Sequence, residues 1–455
     1  MVEKRRPIKT EPIKDPRFLA LTILIENESS KFTLDKILER YSAQLESLAH
    51  RDRALANAII YGTLRWKEHL DWLITPFSKR PLDQIEPAIC YTLRTALYQT
   101  VFMDKIPVSA AVNTAVNAAK KLSNTGAAGF VNAVLRKATT RYMDVAMPDS
   151  KKDPALFISK SQSIPLWLSR RWIRRFGLDA SIALLDAINT IPPITLRANT
   201  LRTDRASLAT ALEPHVETIV PTFHTPDGLS VTRPRTPLHL TTAFKEGLFQ
   251  VQDEATQIVT TLLAPQPGER ILDACAGLGG KTGHMGQIMN NQGKIEAWDL
   301  DARKLAVLGN EMKRLGITNV TTKQMDALDI DPAECNTPFD RVLVDAPCTG
   351  LGVLRRNPDA RWRRTLGDIK RLADLQKRIL NNLADLVKPG GILVYAVCSC
   401  EPEENEGVID WFLNNQKSFA LVPQSHDLAS QDGIFKTYPH PLGMDGFFAA
   451  TMKKN

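Results

Sequence analysis

Two short stretches in the last quarter of the chain carry the residue types that could do covalent chemistry. "VDAPCTGLGV" supplies Asp345 and Cys348, and "LVYAVCSC" supplies Cys398 and Cys400. Both read as a buried strand that runs out into its reactive residues. A thiolate is the natural nucleophile toward an electron-poor ring carbon. A free thiol, with a pKa of ~8.5, is only a few per cent ionised at neutral pH, so such a site should supply positive charge. Lys281 is the candidate. Cys398 and Cys400 together could instead be a metal site, a redox pair or packing. The C-x-C spacing lacks C-x-x-C geometry and no His or Cys pair stands at ligand spacing nearby, so no metal is expected.

A second set of residues suits a bound nucleoside. "LDACAGLGGKTGHMG" places Gly277, Gly279 and Gly280 directly after a strand, where glycines let a backbone pass close to a ligand. The run is neither the dinucleotide fingerprint nor a P-loop. An acid before the turn, Asp273, is poorly suited to phosphate. It suits a ligand with a cationic end, such as the amino group of S-adenosylmethionine. A turn needed only for packing is the plainer alternative. Asp299 ends the next strand about twenty residues on, where Rossmann-like sheets place a ribose-binding acid. Asp301 is expected on the other face. Asp326, after the third strand, could receive an adenine amino group.

Charge points to a polyanionic partner. The formal net charge is +8 over 455 residues. After the "DAPC" turn, Arg355, Arg356, Arg361, Arg363 and Arg364 surround Trp362 with Asp359 as the one acid among them. That pattern suits phosphate contacts beside a stacking aromatic. A solvated helix face would balance lysine with glutamate. Farther upstream, Arg170, Arg171, Arg174 and Arg175 interleave with Trp167 and Trp172.

These residues need elements to position them. From about 256 the chain alternates strand and helix: "RILDACAG", "KIEAWDLD", "NVTTKQMDA", "FDRVLVDAPC" and "GGILVYAVCSC" read as five strands. This predicts a doubly wound, Rossmann-like α/β domain over 256–455, with ligands bound beyond the carboxyl ends of the strands. Residues 1–145 lack strand-like alternation and predict an all-α module. Within it, Pro107 and Ser109 suit a helix start, and Lys120 and Lys121 suit its end. The polar, Pro-broken stretch 146–160 reads as a linker, and 160–255 as a small α+β domain. An apolar fraction of 43% with 24% charged residues fits a soluble globular chain. No apolar run reaches ~18 residues, so no membrane partner is expected. The basic N-terminus, "MVEKRRPIKTEPIKDP", lacks the apolar core of a secretory signal. Six cysteines without framework spacing suggest reduced thiols and a cytoplasmic protein.

The motifs resemble those of the two-cysteine RNA cytosine-5 methyltransferases, whose pattern is close to "DxCAAPGGKT", "DAPCSGxGxxRRxPDxxW" and "LVYxTCSxxPEEN". This chain has "DACAGLGGKT", "DAPCTGLGVLRRNPDARW" and "LVYAVCSCEPEEN" in the same order. "GLFQVQDEATQ" and "DGFFAATMKK" extend the match. "RDRALANAIIYGTLRWKEHLDWLI" and "GFVNAVLRK" are similar to the NusB-like helical RNA-binding module. The combination resembles the bacterial 16S rRNA methyltransferases that carry such a module.

The resemblance implies that Cys398 adds to C6 of a cytosine, and that Cys348 helps remove the C5 proton and release the enzyme. Asp345 would contact the cytosine edge. The cofactor, S-adenosylmethionine, would lie along Cys275, Ala276, Gly277, Leu278, Gly279, Gly280 and Lys281, close to Asp345, with Asp299 on ribose and Asp326 near adenine. Arg355, Arg356, Arg361, Trp362, Arg170 and Arg171 are the expected RNA contacts. The expected partner is 16S rRNA, unassembled or partly assembled, met by a monomer. Three departures stand out: "AGLGG" for "AAPGG", Val397 for a threonine, and Cys400 for an apolar residue. A methyltransferase acting on tRNA or another rRNA cytosine, and a non-catalytic RNA-binding factor, are the alternatives.

Overall fold

The computed structural model describes residues 13–330, 337–424, 426–430 and 432–455. The reading of the N-terminal stretch through residue 12, and of Cys335 as a reduced thiol, lie outside the described residues. The chain forms two compact units. One comprises Met1–Asn189 with Asn357–Arg363, the other Thr190–Arg356 with Arg364–Asn455.

The first unit is helical. Its longer helices span Pro16–Ser29, His50–Arg65, Pro87–Phe102, Val108–Leu122 and Thr125–Arg141. Their starts follow local rules: Asp15 caps the first with Pro16 inside it, and the Asn124 side chain accepts from Ala127 N–H at the start of the last. Leu19, Ile23, Ile59, Leu64 and Tyr91 form one core, and Leu93, Leu97, Val131 and Leu135 another. Each fully buried aliphatic side chain contributes about 1.5–3 kcal/mol, more than the propensity differences along these helices.

The expected linker is partly a helix, Pro154–Ser161. Asp153 accepts from Leu156 N–H at 2.9 Å and Pro154 occupies the first turn, so the Asp-Pro pair starts a helix where it was read as a break. Helices Leu166–Phe176 and Leu178–Asn189 group with this unit by their contacts.

The short segment Asn357–Arg363 corrects an expectation. Arg361 is fully buried, and its Nη1 donates to the carbonyls of Arg65 and Ser163 and to Asn189 Oδ1 at 3.2, 2.9 and 3.1 Å. Trp362 Nε1 donates to Leu64 O at 2.6 Å, and its ring packs on the first helical core. Arg363 donates to Asn27 and to Ser30 O. Arg361 is therefore an interior residue of the helical unit, with no face left for a phosphate, while Trp362 is half-buried with its Nε1 already donated to backbone.

The second unit holds two sheets. The smaller contains β1 (Ile194–Ala198), β2 (Thr218–Pro221), β3 (Gly228–Thr232) and β4 (Phe249–Val251), all antiparallel in the order β2-β3-β1-β4. The larger contains β5 (Arg270–Asp273), β6 (Lys294–Asp299), β7 (Val320–Gln324), β8 (Phe339–Asp345), β9 (Val387–Val397), β10 (Phe419–Leu421), β11 (Ile434–Lys436) and β12 (Phe448–Lys454). Its order is β10-β12-β9-β8-β5-β6-β7, with β11 paired to β12. The five predicted strands are the parallel part. The antiparallel β10, β11 and β12 were not foreseen as strands.

Arg197 on β1 ties the two sheets together. It is fully buried and donates to Gln250 and Gln287 side chains and to Gly280 O. The small sheet thus braces the helix Gly280–Ile288 that follows the glycine turn. No helix among the described residues is long and apolar enough to cross a membrane.

Candidate active site

The chain leaves β5 toward β6 and β7 on one side, then returns to β8 and β9 on the other. The strand order therefore reverses between β5 and β8, which is where a doubly wound sheet opens a crevice. Asp273 ends β5, Asp345 ends β8, and Val397 ends β9 one residue before Cys398. Asp345 pairs in register with Ala396 on the neighbouring strand. Their continuations bring Cys348 Sγ to 3.1 Å from Cys398 Sγ. Gly352 N–H donates to Cys398 O at 3.0 Å, which fastens one thiol loop to the other.

Contact with Cys398 is the largest cause pushing the Cys348 thiol well above its ordinary range, followed by burial and then the Glu404 charge. Lys281, expected to supply charge to a thiol, donates instead to Asp345 Oδ2 at 2.5 Å and lies over the Phe447 ring. A lysine in the first turn of the helix Gly280–Ile288 meets the nearest strand-tip acid first. Cys400 is buried, and its sulfur fills the space beside Gly446, which fits a packing role. Ser399 hydrogen-bonds Glu404 and lies close to Thr349.

The glycine turn fits a bound nucleoside with a cationic end. Gly277 (φ 57°) and Gly279 (φ 87°) take left-handed backbone that disfavours a side chain. A Cβ on Gly279 would sit 2.6 Å from Leu308 Cγ, while one on Gly277 would meet nothing, leaving room beside the turn. Gly277 N–H donates to Asp299 Oδ2 at 3.0 Å, and Ala276 N–H to Trp298 O at 2.8 Å. Asp299 Oδ1 accepts from Asp301 N–H, and a carboxylate retains lone pairs for ribose hydroxyls. Asp301 caps the helix Ala302–Leu315, away from that role. Leu278 is 59% exposed at the turn's tip, and Asp326 is exposed after β7.

Asp273 is only 1% exposed. One oxygen accepts from the Thr282 hydroxyl at 2.6 Å, and the other, Oδ1, is buried with no partner. Burial pushes its carboxyl up to about 7. An orphaned, buried carboxylate oxygen beside a glycine cradle fits an incoming ammonium, so the residues present suit S-adenosylmethionine. Burial also pushes the Cys275 thiol up, which leaves it inert as a nucleophile. Among the described residues no group of three or more His, Cys, Asp or Glu side chains could hold a metal ion.

The expected RNA contacts divide. Arg355 is buried and Arg356 largely so; both pair with Asp445 and Asp253, and they donate to Gly443 O and Pro193 O respectively. These two guanidinium groups stiffen the chain after Cys348 from inside and do not form a solvent-facing patch. Arg170 is exposed on its helix, while Arg171 is half-buried. Sequence reasoning missed Glu404, although it lies in the quoted "EPEEN" motif. It also missed a groove in the helical unit of about 700 Å³, lined in part by Phe77, Lys79, Arg80, Asn124, Phe130 and Lys137.

Comparison with known proteins agrees with this geometry. Residues 260–453 match the family model described as 16S rRNA methyltransferase RsmB/F. Residues 14–140 match the NusB family, and 164–238 the ferredoxin-like domain of RsmF/B-like methyltransferases. A probable ribosomal RNA small subunit methyltransferase B of Bacillus subtilis is 34% identical, over 96% of this chain and 98% of its own. The crystal structure of PH0851 superposes with a TM-score of 0.81 at 28% identity, covering 96% of this chain and 99% of that one. A methyltransferase homolog from Pyrococcus horikoshii is 31% identical with a TM-score of 0.59, covering 66% of this chain and 99% of its own. Identity at that level across the full length, with the glycine cradle and paired thiols in place, establishes that the chain belongs to the ribosomal RNA small subunit methyltransferase B family of S-adenosylmethionine-dependent methyltransferases.

Proposed function

We propose that this chain methylates C5 of a cytosine in small-subunit (16S) rRNA through a covalent adduct on Cys398. One observation carries the reading: two thiols 3.1 Å apart at the tips of adjacent parallel strands, next to a strand-tip carboxylate. A binding module has no need of both. S-adenosylmethionine, when bound, supplies an electrophilic methyl group. Gly277, Asp299 and Asp273 would hold it, with Asp273 Oδ1 on its ammonium and Asp326 near adenine.

The residues of the chain would act as follows. The Cys398 thiolate forms a bond to C6 of cytosine, which moves an electron pair to C5 and makes that carbon nucleophilic. Asp345, anchored by Lys281, holds the N3 and N4 edge and stabilises the charge that develops there. After C5 is methylated, Cys348, having given up its own proton to become a thiolate, takes the C5 proton as base. The C5–H electrons then restore the C5–C6 bond and expel Cys398. The cytosine must be unstacked to reach the thiols, so a loop or an unassembled or partly assembled rRNA, met by a monomer in the cytoplasm, is the substrate form of this reading.

The groove of the helical unit supports RNA as the partner. Lys79, Arg80 and Lys137 are exposed, and Phe77 and Phe130 are half-buried with ring surface available. Cations beside aromatic faces suit a single strand, phosphates on the former and bases on the latter. Arg170 is a further exposed cation that could reach phosphate.

Bisulfite sequencing of rRNA and tRNA, with and without the gene, tests the reaction. One cytosine in small-subunit rRNA should lose its methyl group, and no change anywhere would end the enzymatic reading. Cys398→Ala should abolish turnover and adduct together. Cys348→Ala should trap the protein on RNA as a slowly migrating band. Methylation by Cys398→Ala would remove Cys398 as the nucleophile.

A further inference from the structure

Glu404 is fully buried, yet neither the resemblance nor the reaction above gives it a part. Its carboxylate accepts four hydrogen bonds. Oε1 takes Thr349 N–H at 2.8 Å and Gln376 Nε2 at 3.0 Å. Oε2 takes the hydroxyls of Thr349 and Ser399, each at 2.5 Å. Thr349 directly follows Cys348, and Ser399 directly follows Cys398. Gln376, on the helix Leu366–Ala384, also donates to Pro347 O at 3.0 Å, on the other side of Cys348. Tyr395 in β9 donates to the Glu404 carbonyl at 2.7 Å, and Asn405 donates to Ser399 O.

We propose that Glu404 is a positioning residue for the methyl transfer, whose carboxylate clamps the Cys348 loop to the Cys398 loop and holds the two thiols at working distance. The proposal rests on the reading of Cys348 and Cys398 given above. A residue that merely stabilised its own turn would find its partners between Ser399 and Asn405. Three of the four donors instead come from residues 349 and 376. All four partners donate, so the site calls for an acceptor-only group, which an ionised carboxylate is. Burial pushes the Glu404 carboxyl up, while the hydrogen bonds from Ser399, Thr349 and Gln376 act against it. Contact with Cys398 and burial raise the Cys348 thiol, and the Glu404 charge adds to them.

The test compares Glu404→Ala and Glu404→Gln in the full chain by two independent measurements. One is methyl transfer from labelled S-adenosylmethionine to small-subunit rRNA, resolved into kcat and KM. The other is capture of phenylarsine oxide, which bridges two nearby thiols and needs neither RNA nor cofactor. Cys348→Ala and Cys398→Ala identify the arsenical bound by this pair. Misplacing a reacting group by ~1 Å costs about 100-fold. Glu404→Ala should therefore lower kcat about 100-fold with the RNA KM unchanged, and weaken arsenical capture about tenfold. Glu404→Gln, which keeps one acceptor oxygen but turns an NH2 donor toward two of the four donors, should recover only part of both. Unchanged arsenical capture in Glu404→Ala would overturn the proposal, whatever happens to kcat. If the wild type methylates no RNA but Glu404→Ala still loses the arsenical, the functional reading fails and the clamp stands. Should Glu404→Ala not fold, Thr349→Val and Ser399→Ala each remove one hydroxyl donor. Both should lower kcat and arsenical capture, and normal behaviour of both would overturn the clamp.

Discussion

Replacing Asp273 with Asn should change how the stability of the ligand-free protein depends on pH. The native carboxyl titrates at about 7, against an ordinary value of 3.8, because burial disfavours its charge. Thr282 and Lys281 lower it, and Asp345 and Asp299 raise it. Between these two values the unfolded chain carries an aspartate and the native protein a carboxylic acid. Unfolding then releases a proton, and stability falls as pH rises through the window. The full penalty for an ionised Asp273 is about 4 kcal/mol, from about three pKa units at 1.36 kcal/mol each. From pH 5 to pH 8 this group alone should remove about 2.5 kcal/mol, levelling off above about pH 8.

Asn keeps the size of the side chain and can still accept from the Thr282 hydroxyl, but it has no proton to lose. Urea titrations of both proteins at pH 5, 6, 7 and 8 would give the difference directly. The gap should move in favour of Asp273→Asn by about 2.5 kcal/mol across the range. Stability curves that stay parallel within about 0.5 kcal/mol would refute the buried, proton-bearing Asp273. Ligand binding supplies the companion measurement. If the ammonium of S-adenosylmethionine meets Oδ1, binding at pH 6 should expel the proton from Asp273. Calorimetry in buffers of different ionisation enthalpy would register that proton, and Asp273→Asn should show none from this site.

Two further expectations concern the helical unit. Arg361→Ala should destabilise it by about 3 kcal/mol in urea, because three buried acceptors lose their donor and a cavity opens. The salt dependence of RNA binding should stay that of the wild type; a shallower slope would restore Arg361 as a phosphate contact. Changing Lys79, Arg80 and Lys137 together to Gln should weaken RNA binding and reduce the salt slope by about 2 to 3, measured by fluorescence anisotropy. An unchanged slope would take the groove out of the RNA path.

The residues that read correctly from sequence owe this to local rules. A strand that ends in an acid must put that acid at the sheet's carboxyl edge, so Asp273, Asp299 and Asp345 were placed before any contact was known. Gly277 and Gly279 announced backbone that only glycine adopts readily. Cys348 and Cys398 follow adjacent parallel strands, and the ~5 Å strand spacing sets how far apart they can lie.

The arginines failed for the opposite reason. A run of guanidinium groups around a tryptophan looks the same whether its acceptors are phosphates or carbonyls. What decides between them lies far along the chain. Arg355 meets Asp445 and Asp253, 90 and 102 residues away, and Arg361 meets Arg65 O, 296 residues away. No local window contains those partners. Lys281 illustrates the intermediate case. Its place on the helix after the cradle was legible, but its choice of Asp345 over a thiol depends on which strand is central. Glu404 shows that a motif can be quoted without its physics: the acid was visible in "EPEEN", while its four donors are contributed by three separate stretches of chain. A buried carboxylate with donors from both thiol loops has a mechanical meaning that spacing alone does not carry. The same logic separates the two classes of arginine here. Those with acceptors already in the fold hold the site's shape, and those left on the surface of a groove are the ones the proposed reading assigns to RNA.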